Sequence, residues 1–126
     1  MTPMQRYTDR RVLITGGGSG IGQACVLRIL EEGGQVVSAD ISERGLADTA
    51  TKAGDVGGRL TSVKINVGDE KSVTSGVAEA VGALGGLDTL VNVAGILRSK
   101  HFLDTSLAEF EEVLRVNLIG TFLVTR

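Results

Sequence analysis

Short apolar runs alternate with segments of helical periodicity along the 126-residue chain. Four runs rich in β-branched and aliphatic residues predict strands at Val12–Ile14, 35–40, 59–67 and 88–95. Between these runs, apolar positions recur every three or four residues, which is typical of the buried face of an amphipathic helix. The order βαβαβαβα predicts an α/β fold, with about four strands in a parallel sheet covered by helices on both faces.

The helix boundaries carry recognisable start and stop signals. Ile21–Leu30 is predicted as the first helix, and glycine pairs end it and the third helix. Ser42 and Asp69 are candidate N-caps, and Ser106 with Glu109 forms the pattern of a capping box for the last helix. The helical spacing predicts an inner face of that last helix, made of Phe110, Val113, Leu114, Asn117, Thr121 and Val124.

Composition narrows the class of protein. The chain is 42% apolar, which is enough for one core, and its net charge is −2 with no cluster of Lys or Arg. A nucleic-acid partner is therefore not expected. No segment resembles a signal peptide or a membrane span, and the one cysteine cannot form an internal disulfide, so we expect a cytoplasmic protein. One histidine and one cysteine, His101 and Cys25, make no metal-ligand set, and we predict no metal.

The sequence TGGGSGIG, at positions 15–22, lies between the first strand and the first helix. A helix that begins at the end of a strand presents unpaired N–H groups and a partial positive charge, which together favour an anion such as a pyrophosphate. Glycines let such a loop turn tightly and let phosphate approach the backbone. An ordinary glycine-rich βα turn would show the same residues, so the loop alone does not decide between the two.

Asp40 supplies the context that favours a dinucleotide. It lies 20 residues after Gly20 at the end of the second strand, where an acidic residue can bind the adenosine ribose 2′-hydroxyl. The same carboxylate would repel a 2′-phosphate, and the next basic residue, Arg44, is four positions away. We therefore expect NAD rather than NADP. The alternative is that Asp40 only caps the following turn.

Three motifs resemble the short-chain dehydrogenase/reductase family over essentially the whole chain. They are Thr15-Gly16-x-x-x-Gly20-x-Gly22, LVNVAG at 90–95 and VNLIGTFLV at 116–124. The resemblance implies a Rossmann-type, doubly wound parallel sheet, of which 1–126 would be the NAD(P)-binding N-terminal portion. It also implies reversible hydride transfer between an alcohol and a ketone or aldehyde, and often a homo-oligomer of the full-length protein.

The resemblance assigns residues to the cofactor. It implies dinucleotide contacts from Gly16, Ser19, Gly20, Ile21, Gly22, Asp40, Asn66, Val67, Asn92, Ala94 and Gly95, and a place in the catalytic set for Asn117. The family often has Asp where Asn66 stands, and Asn where Val93 stands. Asn92 and Asn117 have a structural alternative, because a buried amide next to a strand commonly ties two elements together.

The catalytic serine and the Tyr-x-x-x-Lys pair implied by the family are not found in these motifs. The one tyrosine, Tyr7, precedes the first strand, and Arg11 stands four residues later. The chain also stops at Arg126 within a predicted helix, so we expect the N-terminal part of a longer protein, inactive alone. A module that binds a dinucleotide without turnover and a non-functional remnant are the alternatives. Methyl transfer is disfavoured, since it explains neither NVAG nor Asn117.

Overall fold

The computed structural model describes residues 4–126, and its centre is a parallel sheet of four strands. The strand order is β3-β2-β1-β4, with every neighbouring pair parallel. The strands are β1 (Arg11–Thr15), β2 (Gln35–Asp40), β3 (Leu60–Lys64) and β4 (Thr89–Asn92). This order confirms the predicted α/β fold of Rossmann type.

Helices connect the strands and cover both faces of the sheet. They are α1 (Gly20–Glu31), α2 (Glu43–Ala53), α3 (Glu70–Leu84), α4 (Leu107–Leu114) and α5 (Gly120–Thr125). Two 3-10 segments, Gly54–Arg59 and Phe102–Asp104, and a π-helical turn, Arg115–Ile119, complete the chain. The three predicted caps are confirmed: Ser42 accepts from Gly45 N–H, Asp69 accepts from Lys71 N–H, and Ser106 with Glu109 forms a full capping box.

Alternation along β1 divides the core into two parts. Val12, Leu13 and Ile14 are fully buried, and successive side chains of a strand point to opposite faces. Leu13 packs into the cluster on the side of α3 and α5, whereas Val12 and Ile14 pack into the cluster on the side of α1. The central strands are therefore apolar on both faces, as a doubly covered parallel sheet requires.

Two strands are shorter than predicted, and sheet pairing gives the reason. β2 ends at Asp40, which is paired with Lys64, and β1 ends at Thr15, which is paired with Asn92. Beyond these positions no further residues are paired, so the strands end although the apolar pattern continues, and Ile65 N–H makes a last hydrogen bond to Asp40 O at 3.1 Å. Ile65 remains buried below the sheet edge in the cluster with Leu13.

The last helical segment departs most from the prediction. The π-helical turn Arg115–Ile119 inserts an extra residue into the helix, which rotates everything that follows relative to a regular spacing. Val116 and Val124 pack on the core, but Phe110 and Leu114 are 54% and 39% exposed. Assigning Phe110, Leu114 and Thr121 to the inner face was therefore wrong. Thr121 follows the π-helical turn, whereas Phe110 and Leu114 precede it in α4, none of whose residues is buried.

An apolar surface remains open around α4. Large hydrophobic side chains are solvent-exposed in α4, in the loop before it and in the helical turns after it, namely Leu97, Phe102, Leu103, Leu107, Phe110, Leu114, Leu118 and Phe122. In residues 4–126, no helix has the length and apolar character needed to cross a bilayer. Apolar patches on a protein surface occur at protein–protein contacts, at ligand-binding grooves and on aggregation-prone surfaces.

A buried carboxylate anchors the end of α1 to the segment that precedes β1. The Glu32 side chain is fully buried and accepts hydrogen bonds from Arg6 (2.5 and 2.6 Å) and Arg28 (2.8 Å). These two guanidinium groups lower the pKa of Glu32 to about 2. The backbone carbonyl of Glu32 also accepts from Tyr7 N–H. The ion cluster and this backbone hydrogen bond therefore both connect the end of α1 to the segment before β1.

We predict an acid-sensitive contribution from Glu32 to the free energy of unfolding. The pKa in the folded chain, about 2, is below the ordinary value of 4.5, so ionised Glu32 stabilises the fold above pH 4.5. That contribution is lost as the pH falls from 4.5 towards 2. Urea unfolding between pH 2 and 6 should show a shallower pH dependence for Glu32→Gln than for the unsubstituted chain. Parallel curves would contradict the assignment.

Candidate functional site

The carboxyl ends of the strands meet at one edge of the sheet and border a cleft of about 690 Å³. Ten of the eleven predicted cofactor residues line it. They are Gly16, Ser19, Gly20, Ile21, Gly22, Asp40, Asn66, Val67, Ala94 and Gly95. Asn92, the eleventh residue, is not part of the lining. This edge is where open α/β sheets bind their ligands.

Each motif glycine satisfies a different local requirement. Gly16 has φ +72°, and a Cβ there would lie 2.7 Å from Ala94 N. Gly20 has φ +52° with open space where a Cβ would be, so the backbone there is accessible. At Gly22 a Cβ would lie 1.9 Å from Gly16 O, because the first turn of α1 packs directly on the end of β1. The loop therefore combines tight turning, close packing and an exposed backbone.

The N-terminus of α1 lacks the cap that the neighbouring helices have. Ser19 occupies the N-cap position but makes no side-chain cap hydrogen bond, and no acidic residue lies in the first turn. By contrast, α2, α3 and α4 are each capped by a serine or aspartate side chain. Unpaired N–H groups at a helix start carry partial positive charge. The residues that carry these donors, Gly20, Ile21 and Gly22, line the cleft, which suits a pyrophosphate.

Asp40 lies at the end of β2 with both carboxylate oxygens held. Oδ2 accepts from Gly18 N–H and Oδ1 accepts from Ser42 N–H, both at 2.9 Å. Asp40 thus stabilises the turn before α2, as the structural alternative proposed, and also lines the cleft. A carboxylate oxygen has more than one lone pair, so these bonds leave capacity to accept a ribose hydroxyl.

The segment after β4 forms the opposite wall. Thr15 Oγ1 accepts from Val93 N–H and Ala94 N–H, each at 3.2 Å, and so fixes this wall to β1. Asn92 points elsewhere, since its Nδ2 donates to Thr125 Oγ1 at 3.1 Å. This contact matches the structural interpretation of Asn92, which ties β4 to α5.

Asn117 lies in the π-helical turn and holds the same wall from outside. Its Oδ1 accepts from Ile96 N–H at 2.8 Å, and its Nδ2 donates to Ile96 O at 2.9 Å. Asn117 does not line the cleft, and it is exposed rather than buried. The expected inward, buried amide was wrong, because the π-helical turn rotates it towards the loop. Both polar atoms of the amide are nevertheless hydrogen-bonded to the Ile96 backbone.

Several lining residues carry no signal in the sequence. Arg98 and Glu112 form an ion pair at 3.1 Å between the loop after β4 and α4, and Arg115 lies beside Gly68. These residues reach the cleft because of the π-helical turn and the course of the loop after β4. Neither feature can be predicted from regular helical spacing.

His101 and Cys25, the one histidine and the one cysteine of the chain, lie in environments that are common for their residue types. His101 is exposed, and its Nδ1 accepts from Leu103 N–H. Cys25 is partly buried against the cluster beneath α1, as a small apolar side chain would be. Within residues 4–126, no group of three or more His, Cys, Asp or Glu is arranged to hold a metal ion.

The sequence model of the short chain dehydrogenase family matches residues 10–126, nearly the whole chain. The chain belongs to the short-chain dehydrogenase family. This assignment confirms the resemblance inferred from the three motifs. The family consists of oxidoreductases that bind nicotinamide dinucleotides and act on small molecules.

Curated relatives include oxidoreductases of several kinds. The chain is 41% identical over 115 residues to a 3-oxoacyl-(acyl-carrier-protein) reductase of Aquifex aeolicus, covering 90% of this chain and 46% of the relative. It is 39% identical to an uncharacterised oxidoreductase of Thermotoga maritima, covering 90% and 44% respectively. The chain therefore spans about half the length of these relatives.

Solved structures agree with this fold. A short-chain dehydrogenase from Mycobacterium smegmatis superposes with a TM-score of 0.91 at 33% identity, covering all of this chain and 52% of that one. A 3-ketoacyl-(acyl-carrier-protein) reductase from Brucella melitensis, solved with NADH, gives 0.85 at 29% identity, covering 94% and 48%.

We predict that Gly22→Ala destabilises the chain by about 1–3 kcal/mol through overpacking against the Gly16 carbonyl. Gly82→Ala is the matched control, because Gly82 lies in α3 with no atom within 4 Å of its Cβ position. The control should be neutral or stabilising by up to about 1 kcal/mol. Chemical denaturation measures both, and equal effects would contradict the packing argument.

Proposed function

We propose that this chain binds NAD in the cleft at the carboxyl edge of the sheet. The observation that carries the proposal is the uncapped start of α1, which opens onto a glycine loop with Asp40 at its side. The donors suit a pyrophosphate and the carboxylate suits a ribose hydroxyl. The NADH complex of the Brucella melitensis relative supports a nicotinamide dinucleotide for this fold.

The proposed contacts divide the cleft into three parts. The loop and first turn of α1 would hold the pyrophosphate, with the predicted residues Gly16, Ser19, Gly20, Ile21 and Gly22. Asp40 would accept from the adenosine ribose, with Asn66 and Val67 beside the adenine. Ala94 and Gly95 would contact the nicotinamide side, and Asn92 would act indirectly by fixing the end of β4. The bound dinucleotide supplies the hydride donor or acceptor.

The proposal favours NAD over NADP. Asp40 places a negative charge in the lining, and no lysine lies there in the described chain. The lining contains two arginines: Arg98 is paired with Glu112, and Arg115 lies beside Gly68. A 2′-phosphate next to Asp40 would meet like charge, which disfavours binding.

Hydride transfer between an alcohol and a ketone or aldehyde is proposed for the protein in which this sequence works. In the described residues the cleft lining contains no tyrosine, lysine or histidine, and Tyr7 packs beneath α1 at the other end of the sheet. A group that transfers a proton to the substrate oxygen is needed for this chemistry. Residues 1–126 are therefore proposed as an NAD(P)-binding Rossmann domain, with Asn117 in the catalytic set.

Two further properties belong to the proposal. The exposed apolar side chains around α4 support a homo-oligomer of the full-length protein. The near-neutral charge and single free cysteine support a cytoplasmic location with no nucleic-acid partner. A module that binds the dinucleotide without turnover is the second candidate, and the lining without a proton donor favours it for the 126-residue chain alone.

The test is calorimetric titration of the 126-residue chain with NADH and NADPH. We expect NADH to bind more tightly, and we expect Asp40→Ala to weaken NADH binding about tenfold or more, since hydrogen bonds to charged groups are worth about 1.5–3 kcal/mol. Asp55→Ala is the control, because Asp55 is exposed in the 3-10 segment away from the cleft.

The outcomes separate the candidates. Binding without ketone reduction by the 126-residue chain fits both the domain and the non-catalytic module, and reduction of a ketone by a longer form decides for the enzyme. Failure of NADH to bind the folded chain, or equal effects of Asp40→Ala and Asp55→Ala, would refute the assigned cleft.

A further inference from the structure

One peptide unit of the glycine loop is held at both of its polar atoms. The carbonyl oxygen of Gly17 accepts from the Thr49 hydroxyl at 2.7 Å, and the N–H of Gly18 donates to Asp40 Oδ2 at 2.9 Å. These two atoms belong to the same peptide group. Its plane is therefore fixed by a side chain of α2 on one side and by the candidate ribose-binding carboxylate on the other.

The α2 side of this contact is built tightly. Thr49 is fully buried, and its hydroxyl also accepts from Gln23 Nε2 at 2.9 Å. One turn earlier, a Cβ at Gly45 would lie 2.8 Å from the Gly18 carbonyl oxygen. The helix and the loop thus touch backbone to backbone. The buried Thr49 hydroxyl has two acceptors within reach of its one proton, Gly17 O at 2.7 Å and Gly45 O at 3.1 Å, and Gly17 O is the nearer of the two.

We propose that Thr49 is a positioning residue for coenzyme selectivity. By fixing the Gly17–Gly18 peptide, it aims the Gly18 N–H at Asp40 and so sets the orientation of the carboxylate that distinguishes a ribose hydroxyl from a 2′-phosphate. Thr49 does not line the cleft, so its effect on the coenzyme has to pass through this peptide. The proposal rests on NAD binding in the cleft, as proposed above.

The effect should be on selectivity as well as on affinity. Loss of the Thr49 hydroxyl leaves the Gly17 carbonyl without its buried donor, so the peptide can rotate and Asp40 Oδ2 loses its 2.9 Å bond from Gly18 N–H, while Oδ1 keeps its bond from Ser42 N–H. A less restrained carboxylate accepts less well from a ribose hydroxyl and repels a 2′-phosphate less strongly. NADH binding should therefore weaken while NADPH binding changes little or improves.

The experiment compares Thr49→Val, which keeps the shape and removes the hydroxyl, with Thr49→Ser, which keeps the hydroxyl. Kd values for NADH and NADPH are measured by calorimetry well below each variant's melting temperature. We expect Thr49→Val to weaken NADH binding about three- to tenfold, the effect of one hydrogen bond, and to reduce the NADH-to-NADPH preference by at least as much. Thr49→Ser should restore both.

Thr51→Val is the matched control on the same helix. The Thr51 hydroxyl is exposed and donates to Ala47 O within α2, so its loss should leave both Kd values unchanged. If Thr49→Val lowers the melting temperature but leaves the NADH-to-NADPH ratio unchanged, Thr49 is only structural and the proposal is wrong. If the unsubstituted chain binds no NADH, the proposed function fails instead.

Gly45→Ala disturbs Gly18 from α2 without changing Thr49, so it also covers the case that Thr49→Val does not fold. The alanine Cβ would lie 3.2 Å from Gly18 Cα, which belongs to the plane of the Gly17–Gly18 peptide. Alanine suits the first turn of a helix better than glycine, but its Cβ would press on the Gly18 carbonyl oxygen. We expect the same fall in NADH preference without loss of folding. A folded Gly45→Ala chain with unchanged selectivity would overturn the proposal.

Discussion

The close approach of helix α1 to the end of strand β1 is the constraint on which the rest of the site depends. Only a residue without a Cβ at Gly22 allows the first turn of α1 to contact the Gly16 carbonyl. This contact directs the N-terminus of α1 towards the cleft. Because that helix start has no side-chain cap, its N–H groups remain available to a ligand.

The other walls are fixed to this joint by hydrogen bonds at strand ends. Thr15 binds the backbone after β4, and Asp40 binds the glycine loop from β2. Asn117 then holds the Ile96 backbone from the π-helical turn. Short contacts between neighbouring strand ends therefore give the cleft its shape before any ligand binds, which lowers the ordering cost of binding.

Most of the fold could be predicted from the sequence because its signals are local. Buried runs such as Val12–Ile14, and caps such as Ser42 and Asp69, depend on residues close in the chain. The strand ends could not be predicted, since Ile65 and Val93 leave the ladder only where a partner strand stops. The π-helical turn was missed because regular helical spacing was assumed.

The candidate cleft likewise has some features that could be predicted from the sequence and others that could not. The glycine loop and Asp40 were predictable because a turn, a helix start and a strand end each leave a pattern in the sequence. The Arg98–Glu112 pair and Arg115 reach the cleft through the loop after β4 and the helix register, for which the chain contains no repeating pattern. Likewise, nothing local indicated that the Asn117 amide would engage Ile96.

The most direct measurement is an NMR titration of the uniformly 15N-labelled chain with NADH, following assigned backbone amides. The account predicts that the largest shifts fall on Gly20, Ile21 and Gly22, whose N–H groups begin α1, with smaller shifts at Asp40 and Ala94. Shifts confined to the exposed apolar surface around α4, or an absence of shifts at the start of α1, would contradict it.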